Sequence, residues 1–126
     1  MIAIDSSVLV DYLLNRNTKA TDRLHKELLA ETVCLPPVVM TEIMSNPSGA
    51  GGVLEQVVGM YVLTIDDEYW YRAGCLRAAI LRKGFKSNLG DALIAQSCID
   101  NQVPLLTMDK DFRHYAKHAK LELVTL

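Results

Sequence analysis

The sequence predicts an α/β fold: a central, mostly parallel sheet of four to five short strands flanked by helices, forming one domain over residues 1–126. Three observations lead there. Short apolar runs recur along the chain, and stretches with apolar residues at helical spacing separate them. Alternating strands and helices favour a parallel sheet covered on both faces. The chain has 126 residues, half of them hydrophobic, which is enough for one core and leaves little room for a second.

The elements can be justified in order. Met1 to Ile4 reads as a short buried strand ending at Asp5, and Ser6 and Ser7 are candidate caps for a helix over about 8–14. Lys19 to Glu31 sets Leu24, Leu28 and Leu29 at helical spacing among charges. Val33 to Leu35 reads as a strand, after which Pro36 and Pro37 open a helix with Val38, Val39, Ile43 and Met44 on its apolar face. The stretch 45–52 is turn-rich and reads as a loop between helices. Tyr61 to Ile65 predicts a strand, and Asp66 and Asp67 then cap a helix over about 68–83 that stops at Gly84. Ser87 or Asn88 caps a helix over about 89–101. Val103 to Thr107 predicts a strand, a short helix starts near Asp111, and Glu122 to Thr125 predicts a last strand.

Composition narrows the function classes. No apolar run approaches the length of a membrane span, and the N-terminus lacks the basic start and long apolar stretch of a signal peptide, so a cytosolic protein is expected. The three cysteines, Cys34, Cys75 and Cys98, are widely spaced and read as reduced, mostly buried thiols, neither a disulfide framework nor a zinc site. A net charge of −2 is unusual for a nucleic-acid binder, but a carboxylate site is negative by construction and a bound cation reverses its local field.

In open parallel sheets, ligands bind outside the carboxyl ends of the strands. Asp5 directly follows the first strand, and Asp109 lies two residues beyond the strand ending at Thr107. Asp91 falls in the first turn of its helix, and Glu42 sits on the helix after the 33–35 strand. These acids can converge on one edge. Two like charges about 4 Å apart repel by about 4 kcal/mol at an effective dielectric near 20. Such a cluster must hold protons or bind a cation, and carboxylate oxygens suit Mg²⁺ or Mn²⁺.

Four segments together resemble the PIN-domain family. They are Ile-Ala-Ile-Asp5-Ser6-Ser7 with Asp11 further on, Pro37-Val-Val-Met-Thr-Glu42-Ile, Asn88-Leu-Gly-Asp91-Ala, and Leu106-Thr107-Met-Asp109-Lys-Asp111-Phe112. The last is similar to the T-x-D-x-D-F signature of the VapC-type branch. The resemblance implies a PIN-like domain and an Mg²⁺- or Mn²⁺-dependent endoribonuclease, the toxin of a toxin–antitoxin pair, acting on RNA, blocked by a cognate antitoxin protein and assembled as a homodimer through apolar residues of its second and third helices. Carried over by motif, Asp5, Asp91 and Asp109 would bind the metal and Glu42 would complete the catalytic acids. Ser6 or Ser7 would set a hydroxyl beside the first acid and Thr107 a second, while Asp111 would reach a second metal or cap the helix after it. Beyond Glu42 the sequence departs from the family pattern, with Met44-Ser45-Asn46-Pro47 and a glycine-rich turn where relatives more often continue a helix.

Each acid also has a plainer reading. Asp5 can cap a helix, Glu42 can be solvated, Asp91 can favour the helix dipole, and Asp109 and Asp111 can be turn residues. The acidic run Asp66-Asp67-Glu68 reads as helix-start charge, and Asp11 as solvated or paired. His114 and His118, four apart, read as surface residues, and Trp70 with one neighbour as packing residues, with a tyrosine left at the surface. Arg82, Lys83 and Lys86 lie close in sequence to Asp91, where phosphate contacts with RNA would be useful. Two other functions compete: a phosphotransfer enzyme using Asp5 as nucleophile, and a non-catalytic α/β binding module. The first expects an Asp where Ser7 stands, and the second expects adjacent acids after the first strand.

Overall fold

The computed structural model describes residues 1–45, 47 and 59–126. Strand β1 (Ile2–Ile4) leads into α1 (Ser6–Leu13) and α2 (Lys19–Leu29), then β2 (Val33–Leu35) and α3 (Pro37–Met44). After these come β3 (Tyr61–Val62), α4 (Tyr69–Arg82), α5 (Leu89–Asn101), β4 (Leu105–Leu106) and α6 (Phe112–His118). The four strands form one sheet in the order β3-β2-β1-β4, and every pairing is parallel. Ile2 lies opposite Val33 and Ala3 opposite Leu105, so β1 is a central strand. Its three residues are all buried, which is why it reads as a continuous apolar run.

Helices close over this sheet. Helix α1 packs against α2 and α3, α4 against α5, and α6 against both α4 and α5. The largest fully buried side chains include Tyr115, Phe112, Leu9, Leu24 and Ile80, drawn from four different helices. No helix among the described residues is long and apolar enough to cross a membrane.

The sequence order of β2, β1 and β4 fixes where chemistry can occur. From β1 the chain moves to β2 and β3 on one side, and it returns to pair β4 on the other. The carboxyl ends of β1 and β4 therefore flank a topological switch point, where a crevice opens.

Several expected boundaries shift. The paired parts of the 61–65 and 103–107 runs shorten to two residues each, because β2 offers only three residues to pair with and β1 the same. The last expected strand is reduced to one parallel bridge, Leu105 to Leu123, since β4 has room for little more. Neither Ser6 nor Ser7 caps α1: Asp5 does, accepting from the Val8 N–H, and the helix starts at Ser6. Thr18 caps α2 and Asn88 caps α5. No side chain caps α4, although Asp66 Oδ1 accepts from the Glu68 N–H at 3.0 Å. Gly84 follows α4 at φ +85°, a left-handed turn that glycine takes without a Cβ clash. Apart from Ser45 and Pro47, the turn-rich stretch 45–52 lies outside the described residues.

Other side chains also depart from expectation. Trp70 is 60% exposed, while Tyr69 is the packed aromatic, its hydroxyl donating to the Leu93 carbonyl at 2.6 Å. Cys75 is exposed; Cys34 and Cys98 are buried. His114 and His118 are half-buried, because both rings stack on Phe85, with centroids 4.1 and 5.2 Å away.

Candidate active site

Asp5 sits at the carboxyl end of β1 and is 3% exposed. Its Oδ1 accepts from the Ser7 hydroxyl at 2.8 Å and from the Val8 N–H at 3.1 Å, so the cap that starts α1 also fixes the carboxylate. Its Oδ2 accepts from the Thr107 hydroxyl, which lies just past β4 on the adjacent strand. Thr107 Oγ1 in turn accepts from the Asp109 N–H at 3.0 Å, and Asp109 Oδ1 accepts from the Asp111 N–H at 2.9 Å. A chain of hydrogen bonds thus runs from Asp5 across the switch point to Asp111.

The other side of the crevice comes from α3 and α5. Glu42 Oε1 accepts from the Ser6 hydroxyl at 3.4 Å. Its Oε2 lies 3.6 Å from where a Cβ on Gly90 would sit, an ordinary contact distance that places the carboxylate beside the first turn of α5. Asn88 Oδ1 accepts from the Asp91 N–H at 2.8 Å, fixing Asp91 at the start of α5. One carboxylate oxygen each from Asp91, Asp109 and Asp111 lies within 4.8 Å of the others.

Crowding shows in the proton affinities. Asp91 is pushed up to about 6, first by burial and then by repulsion from Asp109, Glu42, Asp111 and Asp5. Burial also raises Asp5, against hydrogen bonds from Thr107, Ser7 and Val8 that lower it. Glu42 is exposed as a residue, yet its carboxylate end is raised by desolvation and by Asp5, with the Ser6 hydrogen bond acting the other way. Three acids of one crevice resist losing their protons together. The donors are all carboxylate oxygens and carry uncompensated negative charge, which fits a hard divalent cation.

The structure therefore brings Asp5, Glu42, Asp91, Asp109 and Asp111 to one crevice, with Ser6, Ser7 and Thr107 as hydroxyl donors to its acids. Ser7, not Ser6, bonds Asp5. Arg82, Lys83 and Lys86 are exposed, and none forms an ion pair among the described residues. Arg77 instead holds the approach to α5, its Nε donating to the Ser87 carbonyl at 2.9 Å, while the Ser87 hydroxyl bonds the buried Tyr115 hydroxyl. Sequence reasoning missed Tyr115.

The PIN domain family model matches residues 2–118. This chain belongs to the PIN domain family. PIN domains are generally nucleases and typically use a divalent metal, in keeping with the acidic crevice. Two solved structures share the fold. One is VapBC2 from Rickettsia felis bound to a DNA fragment from its promoter, with a TM-score of 0.77 and 17% identity over 98% of each chain. The other is FitAcB from Neisseria gonorrhoeae, with a TM-score of 0.72 and 16% identity over 99% of this PIN domain and 97% of that chain. No curated protein matches the sequence.

Proposed function

We propose that this PIN domain is an Mg²⁺- or Mn²⁺-dependent endoribonuclease and the toxin of a toxin–antitoxin pair. The observation that carries the reading is the meeting of Asp91, Asp109 and Asp111, with oxygens within 4.8 Å, beside Asp5 and Glu42. Asp5, Asp91 and Asp109 would hold the metal, and the position of Asp111 favours its joining them. Bound there, the cation would supply an activated water and offset charge on the phosphodiester. Hydrolysis joins the water oxygen to phosphorus and releases one ribose oxygen, which takes a proton. Glu42, with its raised proton affinity, is suited to accept a proton from the water. The Ser7 and Thr107 hydroxyls keep Asp5 from turning out of the crevice.

The partner readings follow from the same family branch: a cognate antitoxin protein that covers the crevice, a homodimer, and a cytosolic location. The exposed cations Arg82, Lys83 and Lys86 would meet RNA phosphates on the approach to Asp91.

The test is cleavage of a labelled RNA pool by the purified protein with Mg²⁺, with Mn²⁺ and with EDTA, beside Asp5→Asn and Asp91→Asn. Metal-dependent cutting that either substitution lowers by at least 100-fold is expected. Cutting that survives EDTA, or that both variants retain, would sink the reading.

A further inference from the structure

We propose that the small cavity beside Asp109 is a subsite for the RNA backbone, in which Lys110 and Arg113 bind a phosphate flanking the one that is cut. The inference rests on the ribonuclease reading. The cavity measures about 160 Å³. That is below the roughly 300 Å³ at which pockets for whole small molecules begin, so it suits a group such as a phosphate with part of its ribose. Thr107 and Asp109 line it on one side, and both belong to the acidic crevice. The cavity therefore opens next to the site of the proposed chemistry, on the edge where β4 ends.

Two cations face the same space. Lys110 and Arg113 both line the cavity, and the Arg113 N–H donates to the Lys110 carbonyl at 3.1 Å, a turn that keeps the two together. Lys110 stands between two acids in sequence, but the turn is pinned: Asp109 Oδ1 accepts from the Asp111 N–H, and both carboxylates meet Asp91. Lys110, on this turn, lines the cavity. Neither cation forms an ion pair among the described residues, although carboxylates are close at hand. Leu105 and Leu123 form an apolar wall, where the face of a ribose can rest.

Charge gives the physical need. The chain carries net charge −2 and gathers five acids in one crevice, which repels a polyanion. An RNA strand crossing that crevice requires cations immediately beside it, and Lys110 and Arg113 lie on the acid-bearing turn itself.

The test is fluorescence anisotropy of a labelled single-stranded RNA pool against the chain carrying Asp5→Asn, which keeps the RNA intact, over a salt series. Adding Lys110→Ala and Arg113→Ala is expected to weaken Kd by about tenfold or more. The slope of log Kd against log salt should fall by about 0.7, the value for one neutralised phosphate on a single strand. The charge-conserving pair Lys110→Arg and Arg113→Lys should recover most of that slope, and it decides the matter if the alanine pair fails to fold. Unchanged Kd and slope in the alanine pair, with the wild-type chain cutting RNA, would overturn this subsite alone. A wild-type chain that neither binds nor cuts RNA would overturn the subsite together with the reading beneath it.

Discussion

Asp91 keeps its proton up to about pH 6 because burial and four neighbouring acids penalise its charge. The sign of the stability effect follows. A carboxyl whose folded value lies above its ordinary value of 3.8 leaves stability intact below that pH, and stability falls as pH rises through about 6. With EDTA present, the wild-type protein should therefore lose roughly 1–3 kcal/mol from this group between pH 4 and pH 7. Asp91→Asn carries no such charge, so it should be the more stable protein at pH 7 while losing its cleavage activity. Urea denaturation at pH 5 and pH 7.5 checks this, and parallel pH dependence in the two proteins would refute it. The acids themselves were legible in the sequence because each stands in a recognisable motif. Which hydroxyl serves which acid was not, because Ser6 and Ser7 are adjacent and only the start of α1 decides that Ser7 turns back to Asp5 while Ser6 reaches Glu42.

At the scale of elements, the site depends on how helices begin. Asp5 both caps α1 and belongs to the crevice, so its two readings from sequence are one fact: the cap hydrogen bond occupies Oδ1 and leaves Oδ2 to Thr107. Helix α5 separates the two jobs, with Asn88 capping and Asp91 facing the acids. Asn88→Ala should cost about 1 kcal/mol of stability, as removal of an N-cap does. Cleavage should fall further than that loss explains, because the freed Asp91 N–H no longer holds the first turn in place. Asn88→Asp keeps the cap and should recover the stability, but it adds another negative charge near Glu42 and should recover less activity. Thermal melts alongside single-turnover cleavage separate these effects, and recovery of both in equal measure would show that Asn88 serves only the helix. Element order and type were readable from apolar periodicity. Strand lengths were not, because pairing ends where the neighbouring strand ends, as β3 does against the three-residue β2. Burial of single aromatics was equally hidden: Trp70 and Tyr69 are adjacent on α4, and only the position of α5 decides that Tyr69 is the one inside.

The whole molecule works as a device that brings distant acids together. Asp5 and Thr107 are 102 residues apart in sequence yet hydrogen-bonded, because β1 and β4 are neighbours in the sheet. No spacing in the sequence could show this; the order of the four motifs could only suggest it. Such an assembly stores repulsion in the folded state, and the unfolded chain, with its acids dispersed, does not. A cation that binds the crevice should therefore stabilise the fold specifically. At a free concentration 100 times its Kd, Mg²⁺ or Mn²⁺ should add about 2.7 kcal/mol, on the order of 10 °C in Tm for a domain of this size. The gain should be larger at pH 7.5 than at pH 5, where Asp91 is still largely protonated and competes with the metal. Asp91→Asn should remove most of it, whereas the same change at Asp22, an exposed acid of α2, should leave it intact. Differential scanning fluorimetry with Mg²⁺, Mn²⁺ and EDTA reads all of these. A rise in Tm that ignores both pH and Asp91 would place the metal elsewhere on the molecule and separate the acidic crevice from its proposed role.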